Sequence, residues 1–204
     1  MTGATLPILT FDERKLTPAY GYVFDAKWLD PDESIVSIMW KFGRMNALPG
    51  HALVAQLAKH TADPYAGIDA TREAVDIRRL RETLPLPLKV LRAALLPRSL
   101  RLVASPYFRY CPKCIMRGYH PAVHQLEVVQ LCPLHGLWLS VECQYCEYRA
   151  PYRLEARLLD APFRCANCRV SYSQRGGAYF VRRKALSQTA QATITRLRVH
   201  YRWA

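Results

Sequence analysis

The stretch that decides the fold is YCPKCIMRGYHPAVHQLEVVQLCPLHGLWLSVECQYC, residues 110–146, together with RCANC at residues 164–168. All seven cysteines of the chain lie in it, and they fall into ligand pairs with two-residue spacers. Such a spacer lets one tight turn direct both side chains at one ion, and a tetrahedral zinc site needs two of these turns. The pattern therefore predicts metal ligation rather than a disulfide framework. The pairs are Cys111/Cys114, Cys132/His135, Cys143/Cys146 and Cys165/Cys168.

The gaps between the pairs indicate how they combine. Seventeen residues separate the first pair from the second, eighteen separate the third from the fourth, and only seven lie between. Zinc ribbons have about 15–20 residues between pairs. We therefore expect two structural Zn²⁺ ions, because each site is filled by four protein ligands. Site one would be Cys111, Cys114, Cys132 and His135, and site two Cys143, Cys146, Cys165 and Cys168, although an interleaved pairing stays open.

Two further histidines, His120 and His124, lie between the first two pairs. Either could in principle replace His135 as a ligand. His135 is favoured because it alone repeats the two-residue interval after Cys132. The other two are predicted to be packing or hydrogen-bonding residues, or phosphate contacts.

Charge is distributed unevenly along the 204 residues, whose net charge is +13. Up to Pro97, 12 Lys and Arg oppose 11 Asp and Glu, whereas 17 oppose 5 beyond it. A basic half with interleaved aromatic residues indicates a nucleic-acid partner, and the alternative is a solvated basic face. The candidate nucleic-acid contacts are Arg109, Lys113, Arg117, Arg149, Arg153, Arg164, Arg169, Arg182, Arg183 and Lys184.

The hydrophobic pattern predicts an α+β protein in five parts. Helices are expected at residues 35–45, 51–60, 71–84 and 86–96, a loop at 61–70, and strands at 126–131 and 137–141. The first two helices form a helix-turn-helix candidate or part of a bundle core. The parts are an irregular extension (1–30), a helical domain (31–97), zinc modules at 107–142 and 143–172, and a basic, helix-compatible tail (173–204).

Targeting signals are missing from the sequence pattern. The first 15 residues lack a basic start followed by an apolar stretch, and the longest apolar run is broken by prolines and charges. We therefore expect a cytoplasmic protein without a membrane-spanning segment.

Several of these residues resemble the TniQ family. The resemblance rests on Tyr110-Cys-Pro-Lys-Cys114, Gly118-Tyr-His120, Gln125-Leu126 and Cys132-Pro-Leu-His135-Gly136, followed by the last two cysteine pairs. An N-terminal element, Glu33-Ser34-Ile35-x-Ser37 with Phe42-x-Arg44-x-Asn46, looks like the opening helix of that family. One departure is His124, because members usually carry Trp at this position, where it packs the first zinc module.

The resemblance implies a non-enzymatic role in transposition, without a small-molecule substrate. TniQ and the related TnsD proteins select target sites for Tn7-like transposons and link them to an AAA+ regulator, TnsC or TniB. In CRISPR-associated transposons they connect the RNA-guided effector to that ATPase. The implied partners are therefore this ATPase, DNA, and a guide RNA or CRISPR effector, and the chain looks like the short form found beside type V-K effectors. The rival hypothesis is a free-standing zinc-ribbon regulator that binds DNA or RNA.

Overall fold

The computed structural model describes residues 21–173 and 186–201. The helices are α1 (Ile35–Met45), α2 (Gly50–Leu57), α3 (Ile77–Thr83), α4 (Leu88–Ala94), α5 (Pro112–Met116), α6 (Ala156–Leu159) and α7 (Gln188–His200). Two strands, β1 (Ile68–Asp69) and β2 (Arg153–Leu154), pair antiparallel, with Ile68 opposite Leu154. Short 3₁₀ helices occupy Ala26–Trp28, Arg98–Val103 and Ala122–Gln125. None of the described helices is long and apolar enough to cross a bilayer.

Helix α1 is the centre of the core. Ser34 caps its N-terminus by accepting a hydrogen bond from the Ser37 amide (3.2 Å). The helix ends at Met45, and Asn46 is its C-cap. Nine of its eleven residues are buried, so the helix has no wide polar face. The Trp40 indole donates to the carbonyl of Leu158 (2.7 Å), which ties the helix to the segment between the second pair of cysteine turns. The helix predicted at 35–45 is confirmed.

Helix α2 packs against α6 at very close range. A Cβ atom on Gly50 would lie 2.2 Å from the carbonyl oxygen of Ala156, so glycine permits this approach. The helix occupies 50–57 rather than the predicted 51–60, because the backbone at Ala58 bridges to Val75. The two helices and their short turn are thus present. The DNA-reading helix-turn-helix stays a prediction, and α2 itself carries no Lys or Arg.

The predicted helix at 71–84 is wrong in its first half. Only α3, residues 77–83, is helical, with Asp76 as its N-cap. Upstream, the Arg72 amide donates to the Leu96 carbonyl (3.2 Å), and the Leu96 amide donates to the Ala70 carbonyl (3.0 Å). Backbone groups used in this long-range bridge are not available for helical hydrogen bonds. Helix α4 lies inside the predicted 86–96, and the predicted loop at 61–70 contains β1.

The stretches predicted as strands at 126–131 and 137–141 do not form ladders. They make isolated bridges, which join Leu131 to Trp138, Tyr110 to Ser140, and Leu126 to Ala104. The turns at the cysteine pairs interrupt the backbone too often for regular pairing. Within the described residues the protein is therefore α+β with very little sheet.

Residues 30–33 form an acidic turn that binds α7 and the residues just before it through hydrogen bonds. Asp32 accepts a hydrogen bond from Arg198 of α7, and the Asp30 carboxylate accepts one from the Leu186 amide (3.5 Å). Ile194 of α7 is fully buried. The helix-compatible tail is thus helical over 188–200. The domain boundaries remain a prediction, and a single cluster of buried side chains extends from α1 to α7 across them.

A buried ion pair stabilises the start of α1. Lys41 donates to Glu33 and to the Trp28 carbonyl (2.8 Å), and both charged side chains are almost completely buried. The second Glu33 oxygen accepts from the Ser37 hydroxyl (2.7 Å), and the first accepts from the Asp30 amide (2.8 Å). A buried charge is tolerated only when it is paired and hydrogen-bonded in this way.

We predict that Lys41→Met lowers the free energy of unfolding by about 3–5 kcal/mol, because it leaves the Glu33 carboxylate buried without its cation. Urea unfolding followed by circular dichroism measures this. The double variant Lys41→Met/Glu33→Gln should recover part of the loss, and Lys89→Met, at an exposed position of α4, should change stability by less than about 0.5 kcal/mol. Equal losses in Lys41→Met and Lys89→Met would contradict the prediction.

Candidate metal centres and their charged surroundings

The structure groups the eight candidate ligands into two clusters, in the pairing that the sequence favoured. Within each cluster the ligand atoms all lie within 4.8 Å of one another. The interleaved pairing is not the one observed. The clusters are Cys111, Cys114, Cys132 and His135, and Cys143, Cys146, Cys165 and Cys168.

The first cluster joins a helix start to a tight turn. Cys111 precedes α5, whose first residue is Pro112, and Cys114 lies on that helix. His135 directs Nδ1 at the cluster, 3.3 Å from the Cys114 sulfur and 3.5 Å from the sulfurs of Cys111 and Cys132. The sulfurs of Cys114 and Cys132 are 3.6 Å apart.

The second cluster joins two similar turns. The sulfurs of Cys143 and Cys168 are 3.7 Å apart, and those of Cys146 and Cys165 are 3.6 Å apart. Backbone amides point at the sulfurs, with Tyr145 N 3.5 Å from Cys143 and Asn167 N 3.4 Å from Cys165. Such N–H groups stabilise thiolates, which are the form of cysteine that binds metal.

Both clusters fit a tetrahedral ion. With Zn–S bonds of about 2.3 Å and Zn–N bonds of about 2.0 Å, ligand atoms at tetrahedral angles lie about 3.8 Å (S to S) and about 3.5 Å (S to N) apart. The observed separations of 3.3–3.7 Å are close to these values. Four protein ligands close each site and leave no position for a substrate.

Three of the turns share one backbone design. In each, the amide of the first cysteine (Cys132, Cys143 or Cys165) donates to the carbonyl five residues later, and its carbonyl accepts from the amide four residues later, at 2.7–3.0 Å. The residue at that fourth position has a positive φ: 62° at Gly136, 57° at Glu147 and 61° at Arg169. Only the first of these is glycine, so the sequence did not reveal the other two positions. Their left-handed backbone costs roughly 1 kcal/mol each, which the closed turn and its ligands must offset.

The ligand groups of the first cluster hold their protons unequally. Contact with the Cys111 and Cys132 sulfurs raises the pKa of His135 to about 9. Hydrogen bonds from neighbouring thiols lower the pKa of Cys111. Hydrogen bonds with Cys111 and Cys132, together with burial, raise the pKa of Cys114 well above its usual value. Protons therefore remain on Cys114 and His135, and a divalent ion would displace them on binding.

His120 connects the two halves of the protein instead of binding metal. Its Nε2–H donates to the Arg109 carbonyl (2.7 Å), and its Nδ1 accepts from the Ser34 hydroxyl (2.7 Å), the cap of α1. The Ser34 amide donates to the His120 carbonyl (2.8 Å). Complete burial lowers the pKa of His120 to about 4, so the ring stays neutral and keeps this tautomer.

His124 lies outside both clusters. It packs edge-on against His120, with ring centroids 5.4 Å apart. Both of its ring nitrogens are buried without a hydrogen-bond partner among the described residues. Burial also lowers its pKa well below the usual value. His124 therefore acts as a packing residue, which is one of the roles that the sequence predicted for it.

The candidate nucleic-acid contacts are not equivalent in the structure. Arg109 is buried, and its guanidinium donates to the carbonyls of Leu126 and Val129 (2.9 Å to the latter), so it braces the first cluster from inside. Arg117 is half-buried and pairs with Asp30 (3.4 Å). The exposed candidates are Lys113, Arg149, Arg153, Arg164 and Arg169, and Arg182, Arg183 and Lys184 lie outside the described residues.

The neutral His120 should make stability depend on pH. A folded-state pKa near 4 lies below the unfolded value of about 6.5, so the contribution is complete above pH 6.5 and is lost as the pH falls towards 4. Between pH 7 and pH 5 we expect a loss of about 2 kcal/mol from this residue.

His120→Gln tests this prediction, because its amide can still donate to the Arg109 carbonyl but does not titrate. Urea unfolding at both pH values should show a stability gap between wild type and variant that narrows at pH 5. Acid effects on the metal clusters and on His124 are common to both proteins. A gap of constant size would contradict the prediction.

Comparison with known proteins identifies the family of the chain. No curated protein matches the chain. The sequence model of the TniQ family matches residues 28–139, from the first 3₁₀ helix to just beyond His135. Membership of that family implies a role in transposition target selection. Because the match covers more than half of the 204 residues, the chain belongs to the TniQ family.

Proposed function

We propose that this protein is a non-enzymatic, zinc-binding adaptor for selecting the target of DNA transposition. It links an AAA+ regulator of the TnsC or TniB type on DNA to a targeting complex, which in a CRISPR-associated transposon is the RNA-guided effector with its guide RNA. The observation that carries the proposal is the TniQ family match over residues 28–139. An adaptor of this kind works in the bacterial cytoplasm, at the DNA.

The contacts of the family-like residues support a scaffolding role. Glu33, Ser34 and Ser37 organise the start of α1 and reach the cysteine-rich half through His120. Asn46 binds the amide and carbonyl of Val23 at 2.8 Å each, which holds the N-terminal segment against α1. The motif therefore joins parts of the protein to one another and gives it a fixed shape.

The two clusters support the same role. Their ligands come from tight turns with few backbone ladders between them, so an ion in each cluster would hold the surrounding surface rigid. Zinc is the ion that fits a Cys₃His and a Cys₄ set of thiolates and imidazole at these separations. Because both ligand sets are complete, each ion would be structural, and no chemical step is assigned to it.

Metal analysis tests the zinc assignment. We expect about two zinc ions per chain, and about one in Cys146→Ser or in His135→Ala, since each variant opens one site. His124→Leu is the matched control and should retain both ions. A chelator that removes the metal should lower the melting temperature strongly, because much of the folding free energy of such small modules comes from the metal. An unchanged melt after confirmed zinc removal would contradict the prediction.

Retention on an ATPase filament tests the adaptor role. The full-length protein should be pulled down by the cognate AAA+ regulator assembled on DNA with ATP, and much less by the same DNA without the ATPase or by the ATPase without nucleotide. Equal retention on bare DNA would favour the free-standing nucleic-acid-binding regulator. No retention in any arm would remove the main support for the adaptor.

A further inference from the structure

A cavity of about 250 Å³ opens between the helical half and the cysteine-rich half of the chain, and we call it the junction cavity. Residues from β1 and the turn after it form one wall. The 3₁₀ helix at Arg98–Val103, the segment after it, and β2 form the others. The polar side chains that line it are Asp69, Thr71, Arg101, Ser105, Tyr152 and Arg153.

Two guanidinium groups converge on one carboxylate at this cavity. Arg101 Nη2 lies 2.7 Å from Asp69 Oδ2, and Arg153 Nη1 lies 3.2 Å from Asp69 Oδ1. The side chains of Arg101, Arg153 and Asp69 are 65%, 45% and 33% exposed, respectively. The carboxylate is therefore the deepest of the three groups, and an anion that approaches from solvent meets the arginines first. Two positive charges against one negative leave a net charge of +1.

Further hydrogen bonds fix the positions of Arg153 and of two hydroxyl groups at the cavity. Arg153 also donates from Nε to the Ala66 carbonyl (3.1 Å) and from Nη2 to the Gly67 carbonyl (3.0 Å), so its position is fixed by the loop before β1. Two buried hydroxyls line the same cavity. Thr71 Oγ1 accepts from the Ala74 amide (3.4 Å), and Ser105 Oγ accepts from the Tyr107 amide (3.2 Å). A hydroxyl that accepts from an amide still has its own proton to donate.

We propose that the junction cavity binds a backbone phosphate of a nucleic acid, with Arg101 as the direct contact and Arg153 as a second cation held in position. A guanidinium presents a planar fork of N–H donors that matches phosphate oxygens. A cavity of about 250 Å³ is smaller than the roughly 300–1,000 Å³ of small-molecule sites, so it accommodates one phosphate group rather than a whole nucleotide. The site rests on the proposed function only in that DNA or RNA is the expected partner.

Fluorescence anisotropy with a 20-base-pair DNA duplex and a single-stranded RNA of equal length tests the proposal at several salt concentrations. Arg101→Gln should weaken binding about fivefold at low salt and reduce the slope of log K against log salt by about 1, the effect of one lost phosphate contact. Arg81→Gln is the control, because Arg81 is an exposed arginine of α3 that does not line the cavity and is not among the candidate nucleic-acid contacts. It should leave both quantities nearly unchanged.

Asp69→Asn is the second variant. It removes the anion that competes for both arginines, so binding should strengthen severalfold. An effect with DNA only, or with RNA only, identifies which nucleic acid supplies the phosphate. Equal losses in the Arg101 and Arg81 variants would show diffuse attraction by the net positive charge and would overturn the site. So would an absence of binding by the wild type, or an Asp69→Asn variant that binds no more tightly.

The outcome is separable from that of the adaptor test. Loss of retention on the ATPase filament with intact, Arg101-dependent binding to nucleic acid would reject the adaptor and leave the phosphate site standing. Retention on the filament with no effect of Arg101→Gln on nucleic-acid binding would reject the phosphate site and leave the adaptor role standing.

Discussion

The structure depends on the hydrogen bond between the Ser34 hydroxyl and His120, together with the paired backbone contact beside it. Ser34 caps the most buried helix, and His120 belongs to the segment between the first two ligand pairs. The same turn carries Glu33, whose charge is matched by Lys41 inside the core. One short segment thus sets the start of α1, neutralises a buried charge and joins the two halves. Because these groups are buried, each depends on the others being present.

The cysteine-rich half follows a different principle from the helical half. Its backbone pairs mainly through isolated bridges, and five of its described residues have a positive φ, three of them in the turns of the ligand pairs. Such a segment gains little from secondary structure. Its stability must come from the ligand clusters and from side chains that brace it, such as Arg109 on the carbonyls of residues 126–129. The apolar core of the helical half, in contrast, extends into the cysteine-rich half through Trp40. The centroid of its ring lies 5.5 Å from that of Phe108 and 4.8 Å from that of Phe163.

The number of basic residues after Pro97 does not tell which of their side chains are available to a partner. The excess of basic residues after Pro97 indicates a polyanionic partner, but individual arginines have different duties. Arg109 serves the interior, Arg117 and Arg198 bind the acidic turn, and Arg153 holds a loop. Arg101 was not a candidate from sequence, because nothing in its neighbourhood along the chain places it beside Asp69 and Arg153. Its role depends on a contact between residues more than thirty positions apart in sequence.

The sequence by itself determined the ligand pairs, the α1–α2 helix pair and the family, because these depend on short spacings and local patterns. It favoured the combination of the pairs into two sites, and the structure decided it. Two-residue spacers and a capping serine act within one or two turns of the chain, where residues close in sequence are also close in space. Only the tertiary structure decided that residues 71–76 leave the helix for a bridge to Leu96, and that His120 hydrogen-bonds Ser34, the N-cap of α1. The same holds for the ring nitrogens of His124, which have no hydrogen-bond partner among the described residues. The tertiary structure also decided that Arg109 is buried whereas Arg101 is exposed. Those outcomes depend on which distant backbone groups and charges meet, and a local pattern carries no record of that.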